Sequence, residues 1–227
     1  MTITKHDPTT SGPVSPRLRH VDPNPLRDIH KGIRAALFAV TSAAGRVDPA
    51  DDFEVAALNS EIADVAKLLA DHAHHEDEHF VPSTLPADLG ERMEREHELL
   101  DARVAWLIEL AGEAQCATPG DRRTAIHELY IEMASFTGAY LAHQDFEERI
   151  VVPALFDQIG ADEVLAVHSR IIAGMSPEQS TRGAVAILPA INIEDRFEML
   201  AGMRAGMPTD AFAGMWSLAT SVLAPQD

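Results

Sequence analysis

Two pairs of residues in this sequence combine an imidazole and a carboxylate at helical spacing. His74 and Glu78 form one His-x-x-x-Glu pair, and His143 and Glu147 form the other. Four residues of α-helix turn through about 400° and rise about 6 Å, so both members of a pair lie on one helical face. Such a pair can bind one metal ion, or bind one metal ion and bridge to a second.

Each pair is the second half of a longer repeat. His30 precedes His74 by 44 residues, and His97 precedes His143 by 46 residues. Each of the two earlier histidines falls on or beside the apolar stripe of a predicted helix. The chain therefore reads as two helical hairpins with one plan, a lone histidine followed by His-x-x-x-Glu, and a doubled pattern is hard to obtain by chance.

Four histidines and two carboxylates from four helices would meet in the centre of a bundle. Burial of such groups without partners costs several kcal/mol each. A metal ion removes that cost because it satisfies the lone pairs and neutralises the carboxylates. Imidazole with carboxylate suits iron, manganese or zinc. Two metal ions are favoured, because six ligands are too many for one open centre.

The apolar pattern predicts the helices that position these residues. Helical spacing of apolar residues predicts four long helices at about 25–44, 51–80, 88–113 and 121–158. Pro153 is expected to end or kink the last of them, because proline removes a backbone donor and clashes with the preceding turn. Four long helices joined by short loops predict an all-α fold, an up-down-up-down four-helix bundle.

The two ends of the chain differ from this central part. Residues 1–22 are polar, rich in Pro and Ser and without periodicity, so we interpret them as a disordered N-terminal arm. The bundle is expected over 23–160. Residues 161–227 form a helical C-terminal extension, with four shorter predicted helices at about 162–173, 177–188, 193–203 and 209–223. The methionines of this extension are interpreted as core filler.

Composition excludes several classes of function. The formal net charge is −18, with 36 acidic against 18 basic residues, which argues against nucleic acid or an anionic membrane as partner. The single cysteine, Cys116, excludes an intrachain disulfide and thiolate metal clusters. The sequence shows neither a long apolar run nor a secretory signal, so we expect a cytoplasmic protein.

The sequence resembles the hemerythrin-like (HHE cation-binding) family over about residues 24–158. The resemblance rests on the motifs Arg27-Asp28-Ile29-His30, His74-His75-Glu76-Asp77-Glu78 with Val81-Pro82, Glu96-His97-Glu98, and His143-Gln144-Asp145-Phe146-Glu147-Glu148 with Pro153. It implies a hemerythrin-type bundle with a non-haem centre of two iron ions joined by an oxo or hydroxo bridge, manganese or zinc being less favoured. Carried over by position, the terminal ligands are His30, His74, His97 and His143, and the bridging carboxylates are Glu78 and Glu147.

Two departures from the family pattern bear on function. Oxygen-carrying hemerythrins have a second histidine one turn after the first on the third helix, where this chain has Asp101. Their last carboxylate is an Asp five residues after the histidine, the position of Glu148 here. Fewer histidines favour redox chemistry with hydrogen peroxide or nitric oxide in oxidant defence over reversible dioxygen carriage. The alternative is a module that binds or senses dioxygen, nitric oxide or iron without turnover.

Several residues stay open as additional or replacement ligands. His75 could replace or join His74, Asp101 could be a ligand of the third helix, and Glu148 could bridge instead of Glu147. Tyr140 lies one turn before His143, so its hydroxyl could reach the metal cavity. On the second helix, His72 lies off the line of His74 and Glu78 and is not expected to be a ligand, and His79 is expected at the surface. His20, His127 and His168 are also expected to face solvent.

Overall fold

The computed structural model describes residues 17–21, 24–80 and 85–223. Within these ranges the chain is helical and contains no strand. Four long helices come first: α1 (Arg27–Ala44), α2 (Asp52–His79), α3 (Ala87–Cys116) and α4 (Arg122–Phe146). Each of them packs against two neighbours, α1 against α2 and α4, and α3 against α2 and α4. This confirms the predicted all-α fold with additional C-terminal helices.

The fourth helix runs on through a change of winding. A π turn (Glu147–Val151) follows α4 directly, and α5 (Val152–Gly174) continues from it. Pro153 therefore does not end the helix; the deviation that it was expected to cause is the wider turn immediately before it. A break occurs only at Gly160, whose φ of 75° lies in the left-handed region that favours glycine.

Three shorter helices complete the extension: α6 (Pro177–Ile187), α7 (Ile193–Gly206) and α8 (Thr209–Val222). Their starts follow from the sequence. Ser176 and Gln179 form a capping box at the start of α6, and the Asn192 side chain accepts from Asp195 N–H at the start of α7. The predicted extension helices are thus confirmed to within a few residues, although the division into domains at residue 160 stays a prediction.

The core of the bundle consists of two apolar clusters. One cluster of buried residues includes Ile33, Leu69, Leu100 and Tyr140. The other includes Phe80, Met93 and Val151. On every long helix the chain passes from one cluster to the other. A layer of buried polar side chains lies between them, and the burial of the clusters, worth about 1.5–3 kcal/mol per large aliphatic side chain, holds that layer in place.

Some expectations for individual residues are corrected. Phe53, which the helical spacing of apolar residues places on the inner face of the second helix, is instead 88% exposed at the start of α2. His168, expected to face solvent, is half-buried within α5. The predicted disordered arm lies mostly outside the described residues. Of its last part, Arg19 forms a two-pronged ion pair with Asp157 of α5, at 2.7 and 2.8 Å.

The extension lies directly on the bundle. α6 packs on α1 and α2, and α8 packs on α6 and α7. Gly32 of α1 permits the closest approach, because a Cβ there would come within 3.0 Å of the Ala186 backbone of α6. Ion pairs reinforce the contact: Lys31 lies 2.6 Å from Asp195, and Arg182 lies 2.8 Å from Asp71. No described helix is both long and apolar enough to span a membrane.

Candidate metal centre

The polar layer places six ligand side chains at one level of the bundle. Its members come from α1, α2, α3, α4 and the π turn, and each is at most 6% exposed. They are His30, His72, Glu76, His97, His143 and Glu147. Each occupies a position of the helical stripe between residues of the two apolar clusters, so the periodicity that builds the core also directs these side chains inward.

The six side chains form two groups of four that share both carboxylates. His30 and His72 join Glu76 and Glu147 in the first group, and His97 and His143 join the same two carboxylates in the second. Within each group the four ligand atoms lie within 4.8 Å of one another. Two groups of candidate ligands therefore lie side by side, with both carboxylates common to them.

Each shared carboxylate turns one oxygen toward each group. Glu76 Oε1 lies 3.5 Å from His72 Nε2, and Glu76 Oε2 lies 3.5 Å from His97 Nε2. Glu147 Oε2 lies 3.3 Å from His30 Nε2, and Glu147 Oε1 lies 2.8 Å from His143 Nε2. Each carboxylate thus has one oxygen available to each group of candidate ligands.

Most of the inward-facing atoms lie close together without hydrogen bonds, although Nε2 of His30 and Nε2 of His72 lie 3.2 Å apart, within hydrogen-bond distance. Among the described residues, both oxygens of Glu76 and of Glu147 are buried without a hydrogen-bond partner, as are Nε2 of His97 and of His143. Buried polar atoms are normally paired, and each orphan costs about 1–3 kcal/mol. Atoms that converge on a common point without pairing with one another fit metal ions at that point.

Outer carboxylates orient three of the four histidines. Nδ1 of each ring lies within hydrogen-bond distance of an acidic side chain from a neighbouring helix. The pairs are His30 with Glu148 at 2.9 Å, His97 with Asp77 at 2.7 Å, and His143 with Glu96 at 2.9 Å. A ring that donates Nδ1–H to a carboxylate presents Nε2 as the ligand atom, the arrangement found around metal-bound histidines.

Charge within the layer shifts the pKa values. Burial opposes protonation of His30, but the carboxylates of Glu147 and Glu148 raise its pKa to about 9. Burial likewise opposes protonation of His97, and Glu147 and Glu76 raise its pKa to about 11. Burial and the charge of Glu147 raise the pKa of Glu76 to about 7. In the metal-free protein, protons thus supply the positive charge between the carboxylates.

The family assignment rests on the chain segment that builds this layer. Residues 23–155 match the family described as the hemerythrin HHE cation binding domain. The chain belongs to this family. Neither a curated protein nor a solved structure matches it. The match ends within α5, so the extension helices lie outside the part that defines the HHE domain.

The structure brings together four of the six residues that the sequence singled out. His30, His97, His143 and Glu147 lie in the polar layer of the HHE domain. The placement expected for His74 and Glu78 is wrong: their side chains are 65% and 56% exposed, and they face each other at 3.3 Å on the outer surface of α2. Two residues amount to about 200° of helical rotation, which carries them to the opposite face.

His72 and Glu76 occupy the inner positions instead. They have the same four-residue spacing, so the repeat persists with a shift of two residues. The signal that could have found them is the apolar stripe of α2. Steps of three and four residues from Leu58, Ile62 and Val65 to Leu69 continue to 72, 76 and then to Phe80.

The residues left open also receive positions. His75 and Asp101 lie outside the layer. Glu148 is an outer partner, held by His30 and by Arg34 at 2.8 Å, and these contacts lower its pKa to about 2. Tyr140 is buried with its ring centroid 5.8 Å from that of His143. Burial, with the charges of Glu147 and Glu76, keeps its pKa well above 10, so it is a neutral phenol beside the layer.

Of the other histidines, His20 and His127 are exposed, as expected, and His79 is 23% exposed in its side chain. Val81 and Pro82, part of the motif after the second helix, lie outside the described residues. Cys116 is the exposed last residue of α3.

Proposed function

We propose that the HHE domain holds two iron ions at the polar layer and uses them in oxidant defence, on peroxide, nitric oxide or dioxygen. His30 and His72 would be terminal ligands of one ion, and His97 and His143 of the other. Glu76 and Glu147 would bridge the two. The observation that carries this proposal is the sharing of both carboxylates by two groups of four ligands.

The donor set supports a reactive iron centre over a structural zinc site. Two imidazoles and two shared carboxylates give each ion four protein donors, which leaves coordination positions for a small exogenous molecule. The layer contains no thiolate among its described members, in contrast to most structural zinc sites. When bound, the metal ions would supply redox and Lewis-acid chemistry.

The chain's own residues would prepare the centre for that chemistry. The outer carboxylates Glu148, Asp77 and Glu96 fix the ring orientation of their histidines. The apolar clusters on both sides exclude water, which strengthens electrostatic interactions within the layer. The neutral phenol of Tyr140 keeps one wall uncharged.

Metal analysis of matched variants of α2 tests the ligand assignment. We expect about two irons per chain in the wild type, with a near-ultraviolet charge-transfer band. His72→Ala and Glu76→Gln should lose at least one iron. The matched controls His74→Ala and Glu78→Gln, which change the same residue types two positions away on the exposed face, should retain both. One iron or none in the wild type would refute the two-iron centre.

A turnover assay separates enzyme from binding module. Iron-loaded wild type should consume hydrogen peroxide or nitric oxide faster than His143→Ala, while His74→Ala should match the wild type. If the protein binds iron and these molecules but turns over neither above the His143→Ala rate, it is a binding or sensing module. The direct packing of α6 on α1, at Gly32 and two residues from His30, favours that second function because a shift in α1 would reach the extension.

A further inference from the structure

A cavity of about 660 Å³ lies between the bundle and the extension. Its size is within the range of sites that enclose a small organic molecule. Apolar side chains form most of its walls, from both parts of the chain. They include Leu68, Phe80, Val164, Ile171, Met175 and Met199. The extension therefore covers a hydrophobic chamber that the bundle alone would leave open.

The inner end of this cavity is the metal centre itself. His72 and Glu76 line the cavity and also belong to the polar layer. Both side chains are buried, and neither oxygen of Glu76 has a hydrogen-bond partner among the described residues. A molecule in the chamber would thus contact mainly apolar side chains, and it would meet the buried polar atoms of His72 and Glu76 where the cavity reaches the polar layer.

Arg27 and Asp71, two of the charged residues that line the cavity, are already paired. Arg27, the only Arg or Lys among the described lining residues, hydrogen-bonds Asp28 at 2.9 Å and lies 3.4 Å from Asp195. Asp71 accepts from Arg182 at 2.8 Å and from Gln179 at 3.1 Å. Since Arg27 is committed and several acidic groups lie nearby, the described lining offers no free Lys or Arg to pair with a carboxylate or phosphate head group.

We propose that this cavity binds a neutral, apolar organic molecule whose single polar end lies against His72 and Glu76. This inference rests on the proposed function and extends it, because it names the class of molecule that would reach the metal centre from the cavity. Neutral molecules are favoured over anions because a buried charge without a partner is strongly penalised.

Two glycines allow the cavity to be filled without disturbing the bundle. Gly202 of α7 lines the cavity, and a Cβ there would have no described atom within 4 Å. Gly183 of α6 also lines it, and a Cβ there would lie 3.8 Å from Met175 Cε, an ordinary contact. Gly206, at the end of α7, has equally open surroundings among the described residues but lies outside the cavity lining, so Gly206→Leu is the matched control.

Calorimetric titration of the metal-free full-length protein at pH 8 tests the site and the ligand class. 1-Octanol should bind at least tenfold more tightly than octanoate, which has the same chain length and a negative charge. Gly183→Leu and Gly202→Leu should each weaken octanol binding at least tenfold, with unchanged circular dichroism, and Gly206→Leu should bind as the wild type does. Equal affinity for octanoate would overturn the ligand class, and unchanged octanol binding by both filling variants would overturn the location.

The orientation of the bound molecule is tested with Mn²⁺ as a paramagnetic probe. In Mn²⁺-loaded protein the C1 protons of octanol should relax faster than the terminal methyl protons, because the polar end lies nearer the centre. Equal relaxation, or faster relaxation of the methyl group, would overturn the orientation. Failure of Mn²⁺ to bind would count against the proposed metal centre, whereas the titrations of the metal-free protein decide on the cavity independently.

Discussion

At the scale of single residues, the centre depends on acidic side chains that are not in it. Asp77 and Glu148 each follow an inner carboxylate directly in the sequence, and Glu96 precedes an inner histidine. None of them points to the polar layer; each contacts the histidine of another helix. Sequence spacing can suggest the inner residues, but these pairings join residues 20, 47 and 118 positions apart, and only the packed bundle reveals them.

Loss of one outer carboxylate should weaken metal binding while the ligands remain. Glu96→Gln removes the negative charge that orients His143, so the apparent iron affinity should fall about 10- to 100-fold. Titration of metal-free protein with ferrous iron under anaerobic conditions measures this. Glu98→Gln, an exposed position on the same helix, should leave the affinity unchanged; an equal loss in both variants would mean a general charge effect.

At the scale of elements, helix positions could be predicted well and helix rotation less well. Apolar stripes and capping residues such as Ser176 and Asn192 placed the helices within a few residues, because both signals are local. The predicted rotation of α2 about its axis was wrong by two residues. His74 and Glu78 on the outer face are the same pair of residue types, at the same spacing, as His72 and Glu76 on the inner face. Pro153 predicted a deviation in the helix but not its form as a π turn, and the cavity could not be predicted because it depends on contacts between distant segments.

The contact between α1 and α6 should be sensitive to a single methyl group. Gly32→Ala should destabilise the protein by about 1–3 kcal/mol, because the new Cβ would lie 3.0 Å from the α6 backbone and overpack the contact. Gly138→Ala, in α4 with no described atom within 4 Å of the new Cβ, should instead stabilise by about 0.5–1 kcal/mol. Urea unfolding measures both; stabilisation by Gly32→Ala would show that the helices separate easily.

At the scale of the whole molecule, the polar layer links stability to pH and to metal. The pKa of His30 rises from 6.5 to about 9 in the folded, metal-free protein, and that of Glu76 from 4.5 to about 7. A raised pKa means that the folded state keeps a proton that the unfolded chain has lost. The resulting stabilisation from His30 is complete below pH 6.5 and is lost as the pH rises through 9.

Metal-free protein should therefore lose stability steadily between pH 6.5 and 9, whereas metal-loaded protein should not. Metal ions replace the protons, so folded and unfolded histidines are both unprotonated well above pH 6.5, and the loss of stability with rising pH disappears. Bound metal also raises stability by mass action, by about 2.7 kcal/mol at a free concentration of 100 times the dissociation constant. Thermal unfolding at pH 6, 7, 8 and 9, with chelator and with metal, measures both effects. A metal-free protein with a flat profile would contradict the assigned protonation.

Because the histidines pair with outer carboxylates of other helices, the geometry of the centre depends on the alignment of the helices along their axes. If α3 slid by one residue along its axis, His97 would leave its own ligand position and Glu96 would release His143 on α4. One displacement would thus remove the ligand His97 from α3 and release the ring of His143 on α4 from its fixed orientation. Insertions should be tolerated in the loops that connect the helices. They should not be tolerated within a helix, between the polar layer and the nearest loop. Natural variation in length should therefore accumulate at the ends of the bundle.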